Sequence, residues 1–219
     1  MATRLLLTEL AATYAERTGI RLELESVGGV DAARRVQAGE PFDVVLLASD
    51  AIDKLIAAGS AVAGTRVDLV HSGVSIAVRD GAAKPDVSTE PALRDAVLAA
   101  PSIGYSTGPS GTALLKLFDR WGITSRLQGR MMQAPAGIPV GAMVAKGDVA
   151  LGFQQLSELI HLPGISIVGP MPQAVEIDTI FAGAVCTSSE RADEVRKLLA
   201  WFASTDTGAA KRRQGMEPA

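Results

Sequence analysis

Ser106, Ser110 and Gly111 lie in a Ser/Gly-rich segment, residues 105–112, that offers hydroxyl groups and backbone amides rather than titratable side chains. An apolar stretch precedes this segment and an amphipathic stretch follows it, which predicts a strand, a turn and a helix. The first turn of a helix carries unpaired N–H groups and the positive end of the helix dipole, so it can bind an anion. The alternative, in which Ser110 only caps the helix and the glycines only turn the chain, stays open.

Three further segments could contribute to the same anion site. They combine small residues or side-chain amides with predicted helix starts or strand ends, and they are Gly28-Gly29, the backbone amides around Pro139 and Val140, and Gln154-Gln155. In open α/β sheets ligands lie beyond the carboxyl ends of the strands, so we expect these segments to meet around one ligand. We also expect the N–H of Gly111 to face that ligand, so that a side chain there would oppose binding and leave folding almost unaffected.

The remaining reactive residues form no recognisable catalytic set. His71 and His161 are far apart and have no cysteine or carboxylate at a metal-binding spacing. Cys186 is the only cysteine and lies in an apolar run, which predicts a buried thiol. Because no Ser-His-Asp, Cys-His or paired-carboxylate arrangement is evident, we assign no catalytic residue, metal or cofactor.

Composition favours a globular α/β protein that does not bind nucleic acid and has no membrane span. Of the 219 residues 47% are hydrophobic and only 4% aromatic, and 22 are glycine. The 21 basic and 24 acidic residues give a net charge of −3, which argues against nucleic-acid binding. No apolar run is long enough to span a bilayer, and the first residues lack the pattern of a secretory signal. As written, the chain is expected to be cytoplasmic or already processed.

Hydrophobic periodicity predicts alternating helices and strands. Residues 5–17 show a helical period that Gly19 should end, and strands are predicted at residues 21–25, 43–48 and 73–79. Ser88 is expected to cap the next helix. The alternation argues for a parallel or mixed sheet flanked by helices.

Several blocks, taken in chain order, resemble the molybdate-binding-protein branch of the ABC-transporter solute-binding proteins. They are Gly28-Gly29 before a helix and residues 39–45, 50–55, 108–111 and 147–153, so the resemblance covers nearly the whole chain. It implies the two-lobed type II periplasmic-binding-protein fold, in which each lobe is a mixed, mainly parallel sheet flanked by helices and the ligand cleft lies between the lobes. The implied lobes are residues 1–72 with 179–219, and residues 73–178.

The resemblance also implies a ligand, a partner and a compartment. It places ligand contacts at Thr3 and Arg4, at the start of the first helix, and implies a small anionic ligand, an ABC permease as partner, a monomer and a periplasmic location. The family's hydroxyl donors to molybdate would fall near Ala2 and Gly29, and its tyrosine near Gln155. Because these donors are missing, we expect another anion, with an organic carboxylate favoured.

Family members normally open with a strand that leads into the first helix. Met1 falls where that strand would end, so we expect either a start further upstream or a chain begun at a later methionine.

Two functions from different classes stay open. One is a solute-binding protein that holds a small oxyanion or organic carboxylate and presents it to a permease. The other is an isomerase on the same fold, similar to aconitate isomerase, which would move a proton within an allylic tricarboxylate. The absence of an evident acid/base pair favours the binding function.

Overall fold

The computed structural model of this protein describes residues 2–135 and 137–219. Met1, on which the expectation about the chain start depends, lies outside the described residues. The helices are α1 Arg4–Thr18, α2 Gly29–Gln37, α3 Ser49–Ala57, α4 Glu90–Ala99, α5 Pro109–Arg120, α6 Val140–Lys146, α7 Leu156–Leu159, α8 Ala192–Ala203 and α9 Gly208–Arg213. The strands are β1 Val44–Ala48, β2 Val67–Arg79, β3 Ile103–Tyr105, β4 Met131–Gln133, β5 Leu151–Gln155, β6 Ile165–Pro170, β7 Asp178–Val185 and β8 Glu217–Pro218.

The chain forms two compact units, and each has its own sheet and core. The first unit consists of Met1–Ser72 and Thr179–Ala219, and the second of Gly73–Asp178. The chain passes from the first unit into the second within β2. In the described part of the chain no helix has the length and apolar character needed to cross a bilayer.

In the first unit the helices pack on an antiparallel arrangement of strands. β1 pairs with β7, so that Val44 lies opposite Val185, and β2 pairs with the short C-terminal β8. α1 buries Leu6, Leu10, Ala11 and Tyr14, which recur at helical spacing. The predicted end of α1 is confirmed, because Gly19 adopts a left-handed conformation with φ 76° and its N–H bonds to the carbonyl of Ala15 at 2.8 Å.

In the second unit the strands that position the predicted site end at the same edge. β3 pairs in parallel with both β4 and β5, and Tyr105 lies beside Gln133 on one side and Phe153 on the other. β5 also pairs antiparallel with β2, and within this unit β2 pairs antiparallel with β6 as well. The residues that follow β3 and those that end β5 are therefore neighbours. The core beneath them contains Ile76, Leu93, Ile103, Leu114, Phe118 and Phe153.

The predicted mixed α/β architecture is confirmed, but several local predictions are wrong. Residues 21–25 form no strand, and they pair with no other strand in the described residues. An extended segment without a partner leaves its backbone groups to water, so it is not stable as a strand. Ser88 is not the cap of α4, because the hydroxyl of Thr89 accepts the N–H of Ala92 instead.

One strand boundary and the direction of strand pairing also differ from prediction. β2 begins at Val67 rather than at residue 73, and its first part pairs with β8 near the C-terminus, which no local pattern reveals. Parallel pairing joins β3 to β4 and β5, which are connected through helices, whereas β1 with β7 and β2 with β5, β6 and β8 are antiparallel, so parallel pairing is less extensive than the alternation predicts.

Candidate functional site

The start of α5 brings three of the predicted site residues together. The Ser110 hydroxyl lies 2.9 Å from the Ser106 hydroxyl and donates to Oε1 of Gln155 at 3.3 Å. Ser110 is 3% exposed and Gln155 4%, so both side chains are buried, and Ser106 is half-buried. The N-cap of α5 is Gly108, which supplies no side-chain acceptor to the first turn of the helix. A buried hydroxyl, a side-chain amide and helix amides that no side chain caps are the donors an anion needs.

Gly111 lies in the first turn of α5, as predicted, but the expectation that a side chain there would spare folding is wrong. A Cβ built at this position would overlap the carbonyl oxygen of Ser106 and lie 2.9 Å from its carbonyl carbon. A backbone carbonyl cannot rotate away as the end of a side chain can. Glycine at position 111 therefore allows the end of β3 to pack against the start of α5.

Gln154 holds the start of α6. Its Oε1 accepts the N–H of Val140 at 2.7 Å and that of Gly141 at 3.4 Å, and the side chain is 3% exposed. Pro139 is the N-cap and has no backbone N–H, so an amide contact to a ligand cannot come from it. The first amides of α6 already have an acceptor within the protein, whereas those of α5 have no side-chain cap. Ligand contacts at Pro139, Val140 and Gln154 stay predictions.

Glu158 is a potentially functional residue that the sequence did not single out. It lies on α7, one turn beyond the end of β5, and its carboxylate accepts a hydrogen bond from Nε2 of Gln154. Burial raises the pKa of this carboxyl above its usual range, and this effect exceeds the opposing effects of positive charge and of the bond from Gln154. The hydroxyl of the neighbouring Ser157 is buried and has no hydrogen-bond partner among the described residues. The second unit therefore holds a basic carboxylate beside the predicted ligand residues.

The other predicted site residues lie in the first unit, at the starts of two different helices. Thr3 is the N-cap of α1 but its hydroxyl makes no capping bond, and Arg4, the next residue, is exposed. Gly28 is the N-cap of α2 and Gly29 its first residue, again without a side-chain cap. A Cβ at Gly29 would meet Leu47 at an ordinary 3.7 Å, so packing does not demand glycine there. Their roles stay predictions from the resemblance.

Neither a reactive thiol nor a metal-binding group of side chains is found among the described residues. Cys186 is buried, and burial together with the charge of Asp43 raises the pKa of its thiol to about 11. Within the described ranges no three His, Cys, Asp or Glu side chains are grouped so that they could hold a metal ion.

Two α/β units with a polar cluster at a helix start define a type II periplasmic-binding-protein fold. The chain belongs to the family described as bacterial extracellular solute-binding protein, whose model matches residues 1–217. It is also 39% identical over 216 residues to an aconitate isomerase from Pseudomonas sp., a match that covers 96% of this chain and 82% of the relative.

Solved structures support the fold. The periplasmic molybdate-binding protein of Azotobacter vinelandii superposes with a TM-score of 0.79 at 21% identity, over 98% of this chain and 94% of that one. The tungstate-binding protein of Desulfovibrio alaskensis does so with a TM-score of 0.72 at 18% identity, over 98% and 93% of the two chains. At these identities the likeness concerns the fold alone.

Proposed function

We propose that this protein binds a small oxyanion or organic carboxylate at the start of α5 and presents it to an ABC-type permease. The observation that carries the proposal is the buried Ser110 hydroxyl, held between Ser106 and Gln155 in the first turn of a helix that has no side-chain cap. The Ser110 hydroxyl can rotate from its present partner to a ligand at little cost, because it exchanges one hydrogen bond for another. Membership of the solute-binding family supports the delivery role and a location outside the cytoplasm.

An organic carboxylate fits this chain better than a tetrahedral metal oxyanion. The structural neighbours are named for molybdate and tungstate, whereas the relative at 39% identity is named for a tricarboxylate. The resemblance places two of the molybdate-binding hydroxyls near Ala2 and Gly29, where this chain has no hydroxyl. A buried dianion that loses donors binds poorly. A di- or tricarboxylate carries its charges on separate groups, so fewer donors need to converge on one centre than for a compact dianion.

Thermal-shift titration tests the proposed binding. Molybdate, tungstate, sulfate, phosphate and a series of di- and tricarboxylates should be compared at equal ionic strength. A ligand at one hundred times its dissociation constant should stabilise the fold by about 2.7 kcal/mol. We expect a carboxylate to give the largest shift and Ser110→Ala to reduce it, with Glu190→Gln, an exposed substitution in the other unit, as control. Tight molybdate binding would contradict the preference for carboxylates, and a flat response to every anion would contradict the binding proposal.

A second candidate function is isomerisation of a tricarboxylate. Two observations favour it: the 39% identity to a protein named aconitate isomerase, and the half-buried Glu158 whose pKa is raised by burial. Moving a proton within an allylic acid requires a base and groups that hold the carboxylates, and no cofactor. Proton NMR of cis- and trans-aconitate in the presence of the protein tests this function directly. Binding without interconversion of the two isomers would leave the solute-binding function.

A further inference from the structure

Glu158 is held in a defined orientation by a chain of hydrogen bonds. Oε1 of Gln154 accepts the N–H of Val140 at 2.7 Å, so the NH2 group of the same amide must point the other way. That NH2 group donates to the carboxylate of Glu158. Because Gln154 is 3% exposed and lies in β5, the amide cannot easily change its rotamer. The carboxylate is thus fixed relative to both β5 and the start of α6.

The inference rests on the isomerase function proposed above. We propose that Glu158 is the base that carries a proton between two carbons of a bound allylic tricarboxylate, and that Gln154 is the residue that positions it. The carboxylate removes a proton from the methylene carbon, and the electron pair of the broken C–H bond forms a new C=C bond. The electron pair of the former C=C bond then takes that proton from the protonated carboxyl of Glu158 and forms a new C–H bond at the far carbon. The step needs no oxidant or reductant and returns Glu158 to its ionised form.

The surroundings of Glu158 suit a base that acts on a carbon acid. Partial burial weakens the hydration of the carboxylate and makes it more basic than an exposed glutamate. Its hydrogen-bond donor, Gln154, is a neutral amide, which orients the carboxylate and lowers its basicity much less than a lysine or arginine would. Glu158 follows Gln155 by three residues, so it belongs to the same strand end as the proposed anion cluster.

Isomerisation of trans-aconitate in heavy water, followed by proton NMR, tests the base. We expect Glu158→Gln to bind trans-aconitate within about threefold of the parent and to lose isomerisation by about 10²–10⁴-fold. Glu190→Gln should change neither. Glu158→Asp should stay partly active and shift the acidic limb of the kcat/KM profile against pH, since the titrating group itself has changed.

Gln154→Met tests the positioning role with a side chain of similar length. Loss of the hydrogen bond that lowers the pKa of Glu158 should move the acidic limb to higher pH, and kcat should fall more than KM changes. A purely structural role would lower the melting temperature and leave the position of the limb unchanged. That result would overturn the positioning role.

The outcomes for Glu158 separate the inference from the function on which it rests. If the parent binds tricarboxylates but converts none, the isomerase function is wrong and the inference is wrong with it. If the parent isomerises trans-aconitate and Glu158→Gln does so within tenfold, Glu158 is not the base, although the isomerase function stands. If Glu158→Gln does not fold, the pH profile of Glu158→Asp decides, and an unshifted limb overturns the inference.

Discussion

Gly111→Ala should destabilise the second unit, whereas Gly108→Ala, three residues earlier, should not. Neither glycine has a positive φ, so alanine fits both backbones and only the available space differs. A Cβ at Gly111 overlaps the carbonyl of Ser106, but at Gly108 its nearest neighbour is the Ser106 hydroxyl at 4.0 Å. The two substitutions therefore form a matched pair that tests the close approach of Gly111 to the Ser106 carbonyl at the predicted anion site.

The expected magnitude follows from two opposing effects. Alanine restricts the unfolded chain and contributes about 0.4–1 kcal/mol of stability at either position. Overpacking against a backbone group that cannot rotate away costs about 1–3 kcal/mol at Gly111. At Gly108 the loss of a glycine N-cap roughly offsets the entropic gain. Gly111→Ala should thus lose about 1–2 kcal/mol, and Gly108→Ala should stay near the parent.

Calorimetry and ligand titration together measure the effect. A change of 1 kcal/mol corresponds to about 2–4 °C in Tm for a protein of this size. The displaced first turn of α5 should also bind the carboxylate found in the screen at least about tenfold more weakly, a change of about 1.4 kcal/mol. Equal Tm values and equal affinities for Gly111→Ala and Gly108→Ala would refute the close approach and the place of this helix start in the site.

Two further predictions concern buried titratable groups in the first unit. Lys211 is 1% exposed and its amine has no hydrogen-bond partner among the described residues. Lys211→Met should therefore raise the free energy of unfolding at pH 7 by about 1–3 kcal/mol. The control Lys54→Met, at an exposed position, should change it little. Burial lowers the pKa of Lys211 below 10.5, so the advantage of Lys211→Met in urea unfolding should shrink as the pH rises towards that value, and an equal advantage at every pH would contradict it. Cys186, with a thiol pKa of about 11, should resist a disulfide reagent at pH 8 until the protein is unfolded. Rapid labelling of the native protein would show that the thiol is accessible rather than buried.

Local sequence predicts those parts of the fold whose causes are local. The period of apolar residues in α1 and the left-handed Gly19 at its end depend on neighbours within one or two turns. The strand predicted at residues 21–25 did not form, because a strand requires a partner that its own sequence cannot supply. The early start of β2 was missed for the converse reason, since its partner β8 is close to the other end of the chain.

In the candidate site, too, local sequence predicts some residues and not others. Ser106 and Ser110 could be placed together because both lie at one predicted helix start, and Gln155 followed from its position at a strand end. Glu158 could not be found in this way. A glutamate in a polar segment usually faces water, and only its burial and its bond from Gln154 distinguish it from the other acidic residues.

The order of the two units along the chain has a consequence for biosynthesis. The second unit is one continuous segment, Gly73–Asp178, whereas the first unit is completed only by Thr179–Ala219. A growing chain can therefore finish the second unit while the first still lacks β7, the strand that pairs with β1. Until β7 is available, β1 lacks its pairing partner, and its unpaired edge is open to misassociation.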